Sequence, residues 1–344
     1  MKPLHALVML GLALAVAGCP KKDDVIVEAA EGKALSEQQI DADPLALLPG
    51  GAIGMLSADA KALFASQFGQ KLAAIAQAPM PASAGFDATR DLTHLYAGFY
   101  SMQGADFTVV ATGSFDKARI EQAADGVTQT PLGAPLVKSS YAKHTLYTSR
   151  NVGFTVLTAR TALVGNETGI RRALDRIQEG RVKRAVPDWF SEIMDTPNAP
   201  MVMGFDLRAH PLTDATRQQF PFLQGLETAR MVGNFEAPGL NLAGTLTYSD
   251  EASATQGAQN LRDFASGVQS LGWLASLFNI PQPIKKLEAE AKGTDTQFVA
   301  GLDGEGVAQL LDQALRIVGV PVQPKVIPAT VSPGVTGEAG VPQK

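Results

Sequence analysis

Residues 107–116 read FTVVATGSFD, and residues 240–250 read LNLAGTLTYSD. In the first, Phe107, Val109 and Ala111 occupy one phase of a two-residue alternation. In the second, Leu240, Leu242, Gly244 and Leu246 do the same, and Thr, Asn and Ala largely fill the other phase. Side chains alternate across a strand, so each stretch predicts a half-buried β-strand. Each strand then runs into an aspartate, Asp116 or Asp250, placed to cap a helix. A carboxylate there accepts hydrogen bonds from the unpaired N–H groups of the first turn. The helix predicted after Asp116 puts Ile120, Ala123, Ala124 and Val127 on one face. The helix after Asp250 does so with Ala258, Leu261, Ala265 and Val268.

The correspondence extends outward from this pair. Upstream, LYAGFY (95–100) and MVGNFE (231–236) predict a shorter strand before each, joined through a tight Gly-containing turn. Downstream, GIRRALD (169–175) parallels GVAQLLD (306–312). Ile170, Ala173, Leu174 and Ile177 form a helical stripe, and Val307, Leu310, Leu311 and Ala314 form its twin. Before these helices lie candidate hairpins, HTLYTSRNVGFTVLTARTALVG (144–165) and KKLEAEAKGTDTQFVAG (285–301). Glu, Ala and Lys favour helix, but the alternation of KKLEAEAK and its place in the pattern predict a strand. At the front, AIGMLSAD (52–59) ends on Asp59, again a cap position, and leads into a helix carrying Phe64, Phe68, Leu72 and Ile75 on one face. MVMGFDLRA (201–209) leads into a segment broken by Pro211 and Pro221.

The expected fold is therefore α+β: two tandem β-α-β-β-α-β-β-α repeats with a mainly antiparallel sheet backed by helices. They span residues 44–184 and 197–319, with 185–196 as a linker. Two similar domains and one pseudo-symmetric sheet both fit. The succession of LPGGAIGMLSAD (48–59), a strand pair, the SFD helix start and the GIRRALD helix resembles duplicated half-domains of bacterial lipoproteins. That resemblance implies no activity.

The amino terminus supplies an address. Lys2 forms a small positive region, and Leu4 to Ala15 an apolar run of about a dozen residues. A bilayer span needs about 20. Val16-Ala17-Gly18-Cys19 resembles the bacterial lipoprotein cleavage box. The resemblance implies that residues 1–18 are a signal peptide cut after Gly18, and that Cys19 carries a diacylglycerol on sulfur and an acyl chain on its amine. The plainer alternative is a secreted protein with an idle cysteine. Each buried CH₂ contributes about 0.8 kcal/mol and two chains already anchor stably, so three hold firmly. Cys19 is the only cysteine, so its lipidation leaves no disulfide, thiol nucleophile or thiolate metal site. Pro20, where lipoproteins kept in the inner membrane often carry Asp, points to the outer membrane. The polar residues after Cys19, through residue 43, read as a flexible tether. Residues 320–344, with Pro321, Pro324, Pro328, Pro333 and Pro342, read as a disordered Pro-rich tail.

Cleavage leaves 28 basic and 34 acidic side chains, a balance that argues against nucleic acid as a partner. His94, His144 and His210 remain, far apart in sequence and without metal-ligand spacing. No cofactor or metal is implied. Ser114-Phe-Asp-Lys117 is an SxxK match resembling the nucleophile motif of penicillin-binding proteins and serine β-lactamases, which would make Ser114 and Lys117 catalytic. The corresponding stretch Tyr248-Ser249-Asp250-Glu251 keeps only the capping Asp, so helix initiation explains the position.

Arg171, Arg172, Arg176, Arg181, Lys183 and Arg184 crowd one helix and its exit. They form either a solvated face or a contact for an anionic surface. Residues 271–278, LGWLASLF, are apolar nearly all round. They are buried between the halves, or Trp273 and Phe278 line a groove for an apolar ligand. The resulting expectation is a membrane-anchored envelope lipoprotein facing the periplasm or the cell surface. It is a non-catalytic binding or scaffolding module whose partner is another envelope protein or a lipid. The alternatives are a carrier or sensor of a lipid-like ligand between the halves, and a periplasmic SxxK hydrolase.

Overall fold

A computed structural model describes residues 26–28, 33–101, 106–127, 129–130, 134–270 and 282–317. Gly18 and Cys19, the Trp273 and Phe278 segment and the Pro-rich tail lie outside the described residues. In chain order the structure begins with β1 (Ile26–Glu28), α1 (Glu37–Ala42), β2 (Gly54–Asp59), α2 (Ala60–Ala65), α3 (Gly69–Gln77) and α4 (Ala88–Asp91). Next come β3 (Leu92–Ser101), β4 (Asp106–Gly113), α5 (Lys117–Ala124), β5 (Val137–Tyr141), β6 (His144–Ser149), β7 (Val152–Val156) and β8 (Thr161–Asn166). After α6 (Glu167–Glu179), β9 (Arg181–Lys183) and α7 (Asp188–Met194), the second half runs β10 (Met201–Asp206), α8 (Asp214–Gln219), β11 (Leu226–Asn234) and β12 (Gly239–Tyr248). It closes with α9 (Glu251–Ser270), β13 (Ile284–Lys292), β14 (Asp295–Asp303) and α10 (Gly304–Ile317).

The two halves share one sheet. Twelve strands pair antiparallel in the order β13-β14-β12-β11-β10-β2-β3-β4-β8-β7-β6-β5. At the seam β2 lies against β10, from Gly54 opposite Phe205 to Ala58 opposite Met201. From there each side steps outward through three strands and returns from the outer edge, through the β13-β14 hairpin on one side and the four-stranded run β5 to β8 on the other. The second side follows the expected β-α-β-β-α-β-β-α order, whereas the first adds two strands, β6 and β5, at its far edge: the stretch 144–165, read as a hairpin, forms three strands, and β5 was not anticipated. KKLEAEAK is strand β13.

The sheet is covered unequally. One face carries α2, α3, α5, α9 and α10, with Phe64 of α2, Phe68, Ile120 of α5 and Phe154 of β7 buried together in one core and α9 burying its own Ala258 and Leu261 in another. On the other face, the segment from Leu35 to Leu48 and helices α6 and α7 bury Met55, Val110, Leu163 and Val202. The predicted stripe of α6 is wholly buried: Ile170, Ala173 and Leu174 at 0% exposure and Ile177 at 1%.

Three expectations are corrected. The single helix after Asp59 is two. Ser66 Oγ donates to the Leu63 carbonyl at 2.6 Å, ending α2, and Gly69 starts α3 so close to α2 that a Cβ would collide with the carbonyls of Leu63 and Phe64. The tether does not reach residue 43. Ser36 and Gln39 form a reciprocal capping box on α1, Leu35 and Ile40 are buried, and Asp41 accepts hydrogen bonds from the hydroxyls of Thr158 (2.6 Å) and Thr161 (2.7 Å). Residues 33–43 thus belong to the body, because their few apolar side chains find a core site. The linker, too, is a packed element. Phe190 of α7 is fully buried, and Trp189 lies over Gly204 of β10, where a Cβ would meet the ring at 2.7 Å.

Candidate functional site

A groove of about 700 Å³ opens at the seam, where β2 and β11 end and β3 and β10 begin. Ser57 and His94 meet in its wall: Ser57 Oγ lies 2.8 Å from His94 Nε2. Both point to the same sheet face because Ser57 stands opposite Tyr96, and His94 is two residues before Tyr96 on β3. The His94 ring also packs on Tyr96, with centroids 4.4 Å apart. Asp59, opposite His94 in register, accepts from the Ala62 N–H at 2.9 Å and caps α2, the role its place in the sequence implies. The facing wall comes from the second half and from the chain leading into it: Met194 at the end of α7, Thr196 and Asn198 of the following loop, Asn234 at the end of β11 and Glu236 just after it.

Burial pushes the His94 imidazole below its ordinary range, and the negative charge of Asp59 opposes that shift. The ring therefore sits neutral at pH 7. A serine hydroxyl within reach of a neutral imidazole is the first half of a nucleophile–base arrangement. The rest is not built here. Ser57 lies mid-strand at 8% exposure, and β2 is hydrogen-bonded on both sides, to β3 and to β10. No backbone N–H beside Ser57 is left to hold an oxyanion. What the groove offers is a polar recognition surface.

Sequence reasoning named His94 and Asp59 but missed Ser57, Asn234 and Glu236. The available signal was the phase of AIGMLSAD: Ser57 and Asp59 continue the phase of buried Met55, where an apolar residue would be expected.

The sequence-derived candidates fall elsewhere. Ser114 is exposed, two residues before the capping Asp116, whose carboxylate accepts from Arg119 N–H at 3.1 Å. Lys117 is the first residue of α5. No helical turn therefore relates Ser114 to Lys117 as an SxxK nucleophile requires. The arginines are largely taken up by the fold. Arg171 pairs with Glu167 and lies 4.6 Å from the Tyr141 ring centroid. Arg172 pairs with Asp106 and lies 4.6 Å from the Tyr100 ring centroid. Arg176 donates to the carbonyls of Ala46 (3.0 Å) and Lys183 (2.6 Å), and Arg184 pairs with buried Asp43 at 2.7 Å. Lys183 is exposed on β9, and the Arg181 side chain lies outside the described residues. The cluster chiefly ties α6 and β9 to the amino-terminal segment and β4, which leaves little of it for an anionic surface. Half-buried His144 is likewise pushed below its ordinary range by burial, and His210 is exposed. Among the described residues no three of His, Cys, Asp and Glu converge as a metal site, and no helix is long and apolar enough to cross a membrane.

No protein-family model matches the chain, and no curated protein matches it. Solved structures of TP0453 in crystal forms I, III and IV are similar to it at 12% identity, with TM-scores of 0.49, 0.49 and 0.46. The alignments cover 78% of this chain and 96%, 97% and 95% of the TP0453 chains. A likeness at this level assigns no activity.

Proposed function

We propose that this protein is a lipid-anchored binding module of the bacterial cell envelope, held through Cys19 and recognising its ligand in the seam groove. The observation that carries the reading is the groove itself: an open concavity at the junction of the halves, walled by convergent polar side chains. The anchor rests on the lipobox. Six residues lie between Cys19 and Ile26, where β1 pairs with β9, so the folded body stays within about 25 Å of the bilayer even with that stretch fully extended. Outer-membrane placement follows from Pro20. Because polar side chains make up more than half of the groove lining, it suits a polar ligand better than a lipid-like one. Without an oxyanion site at Ser57, and with Ser114 and Lys117 apart on the helix start, the non-catalytic reading fits the geometry better than a hydrolase.

Two measurements test this. Cells grown with an alkynyl palmitate should label the chain, and Cys19→Ser should abolish the label; an unlabelled wild-type chain contradicts the anchor. Native mass spectrometry of protein released from its own cells in mild detergent should show a bound species that is lost on Ala65→Trp, which fills the groove from the end of α2. A species that persists in that variant, or none in the wild type, contradicts the groove.

A further inference from the structure

The groove is unusual in its balance of charge. Asp59 and Glu236 bring carboxylates from opposite walls, and among the described residues no lysine or arginine lines it. Four of the acidic side chains outside the groove are matched by a cation: Asp43 by Arg184, Asp106 by Arg172, Asp206 by Arg208 and Asp125 by Lys138. The Asp59 carboxylate accepts from the Ala62 N–H, and among the described residues no lysine or arginine pairs with Asp59 or Glu236. His94, the remaining titratable group in the lining, is spent on Ser57 and Tyr96. Two negative charges, serine, threonine and asparagine oxygens, and no cation make a surface rich in acceptors. An ammonium, with three donors and no acceptor, complements such a surface. Phe235, Met194 and Val202 add an apolar stretch to the same lining, able to take a short hydrocarbon stem and to set an aromatic face near a cation.

Resting on the reading of the groove as a binding site, we infer that its ligand is a small organic amine. The ammonium lies between Asp59 and Glu236, and the stem runs along Phe235 and Met194. The polar neighbours Ser57, Asn198 and Asn234 accept or relay hydrogen bonds and add no charge.

The test uses the full acylated chain in non-ionic detergent and isothermal titration calorimetry with three probes of one stem length: n-pentylamine, 1-pentanol and sodium pentanoate. Pentylamine should bind saturably. The alcohol and the carboxylate should bind at least about tenfold more weakly, a difference of about 1.4 kcal/mol. Asp59→Asn combined with Glu236→Gln should cost pentylamine about tenfold, since the ion pairs are partly solvent-exposed. Asparagine still caps α2, so an unchanged melting temperature shows that the double variant folds. Equal binding of the three probes, or undiminished pentylamine binding by the double variant, overturns the inference. So does the absence of pentylamine binding. If a co-purifying species is nevertheless displaced by Ala65→Trp, the groove stands as a binding site for a different class of ligand. If it is not, both fail.

Discussion

One row of directly paired residues crosses the sheet and changes character at the seam. It begins with Leu163 on β8 and Val110 on β4, both at 0% exposure, and continues through Tyr96, Ser57 and Val202. Beyond Val232 it reaches Ala243 and then Val299, which is 45% exposed. Backbone geometry and pairing are the same throughout; only the second layer differs. The first half is roofed by the amino-terminal segment and α6, while α7 extends just far enough to cover β10 and β11. The local sequence follows. Strands roofed on both sides, such as TALVGN and VGFTV, are buried nearly from end to end. Strand β13, IKKLEAEAK, alternates charged and apolar residues because one of its faces meets water. The groove opens where the roof ends, beside Met194, the last residue of α7.

The contrast can be broken most forcefully in the doubly covered half. Phe154 is fully buried and stacks on Tyr147 at 5.3 Å, so Phe154→Ala should cost about 3–5 kcal/mol in denaturant unfolding. A loss of only a few tenths would mean that the core beneath the helices is not packed as described. A smaller effect sharpens the role of the amino-terminal segment. Asp43→Ala removes the partner of Arg184 from a site where the carboxylate side chain is 2% exposed. The arginine itself stays partly solvated, so the expected cost is about 2 kcal/mol. No measurable change would detach that segment from the fold.

Acid should weaken the sheet through two histidines of its first half. Burial lowers His94 of β3 and His144 of β6 below their ordinary value, so the unfolded chain binds protons more readily than the folded one. Their contribution is complete above the unfolded value of about 6.5 and is lost as pH falls through the folded values. Melting temperature should drop over that window, and less so in His94→Gln with His144→Gln. A steeper drop in the double variant would reverse the assigned sign. The smallest effect belongs to the open face: Val299→Ala should change stability by no more than about 0.5 kcal/mol. A large loss there would reveal a covering layer on the second half.

Much of this was legible in sequence where the cause is local. Alternation marked the strands, Asp59 and Asp116 marked helix starts, and the period of GIRRALD selected the buried face of α6. Non-local features left weaker marks. The pairing of β2 with β10 joins residues nearly 150 positions apart, so two domains and one sheet look alike in the chain. The break between α2 and α3 depends on how closely Gly69 packs, which no periodicity encodes. Polar surroundings hid Leu35, Ile40 and Phe190, whose burial turns a tether and a linker into packed elements. Ser57 and His94 are separated by 37 residues, and Arg172 and Arg184 find Asp106 and Asp43 only through the fold.

Hydrogen exchange across a denaturant series addresses the continuity of the sheet most directly. If the halves form one cooperative sheet, amides of β2 and β10 lose protection at the same denaturant concentration, together with those of β8 and β12. Loss of protection in β10 to β14 at a lower concentration, with β2 to β8 still protected, would show two independent domains and contradict the shared seam.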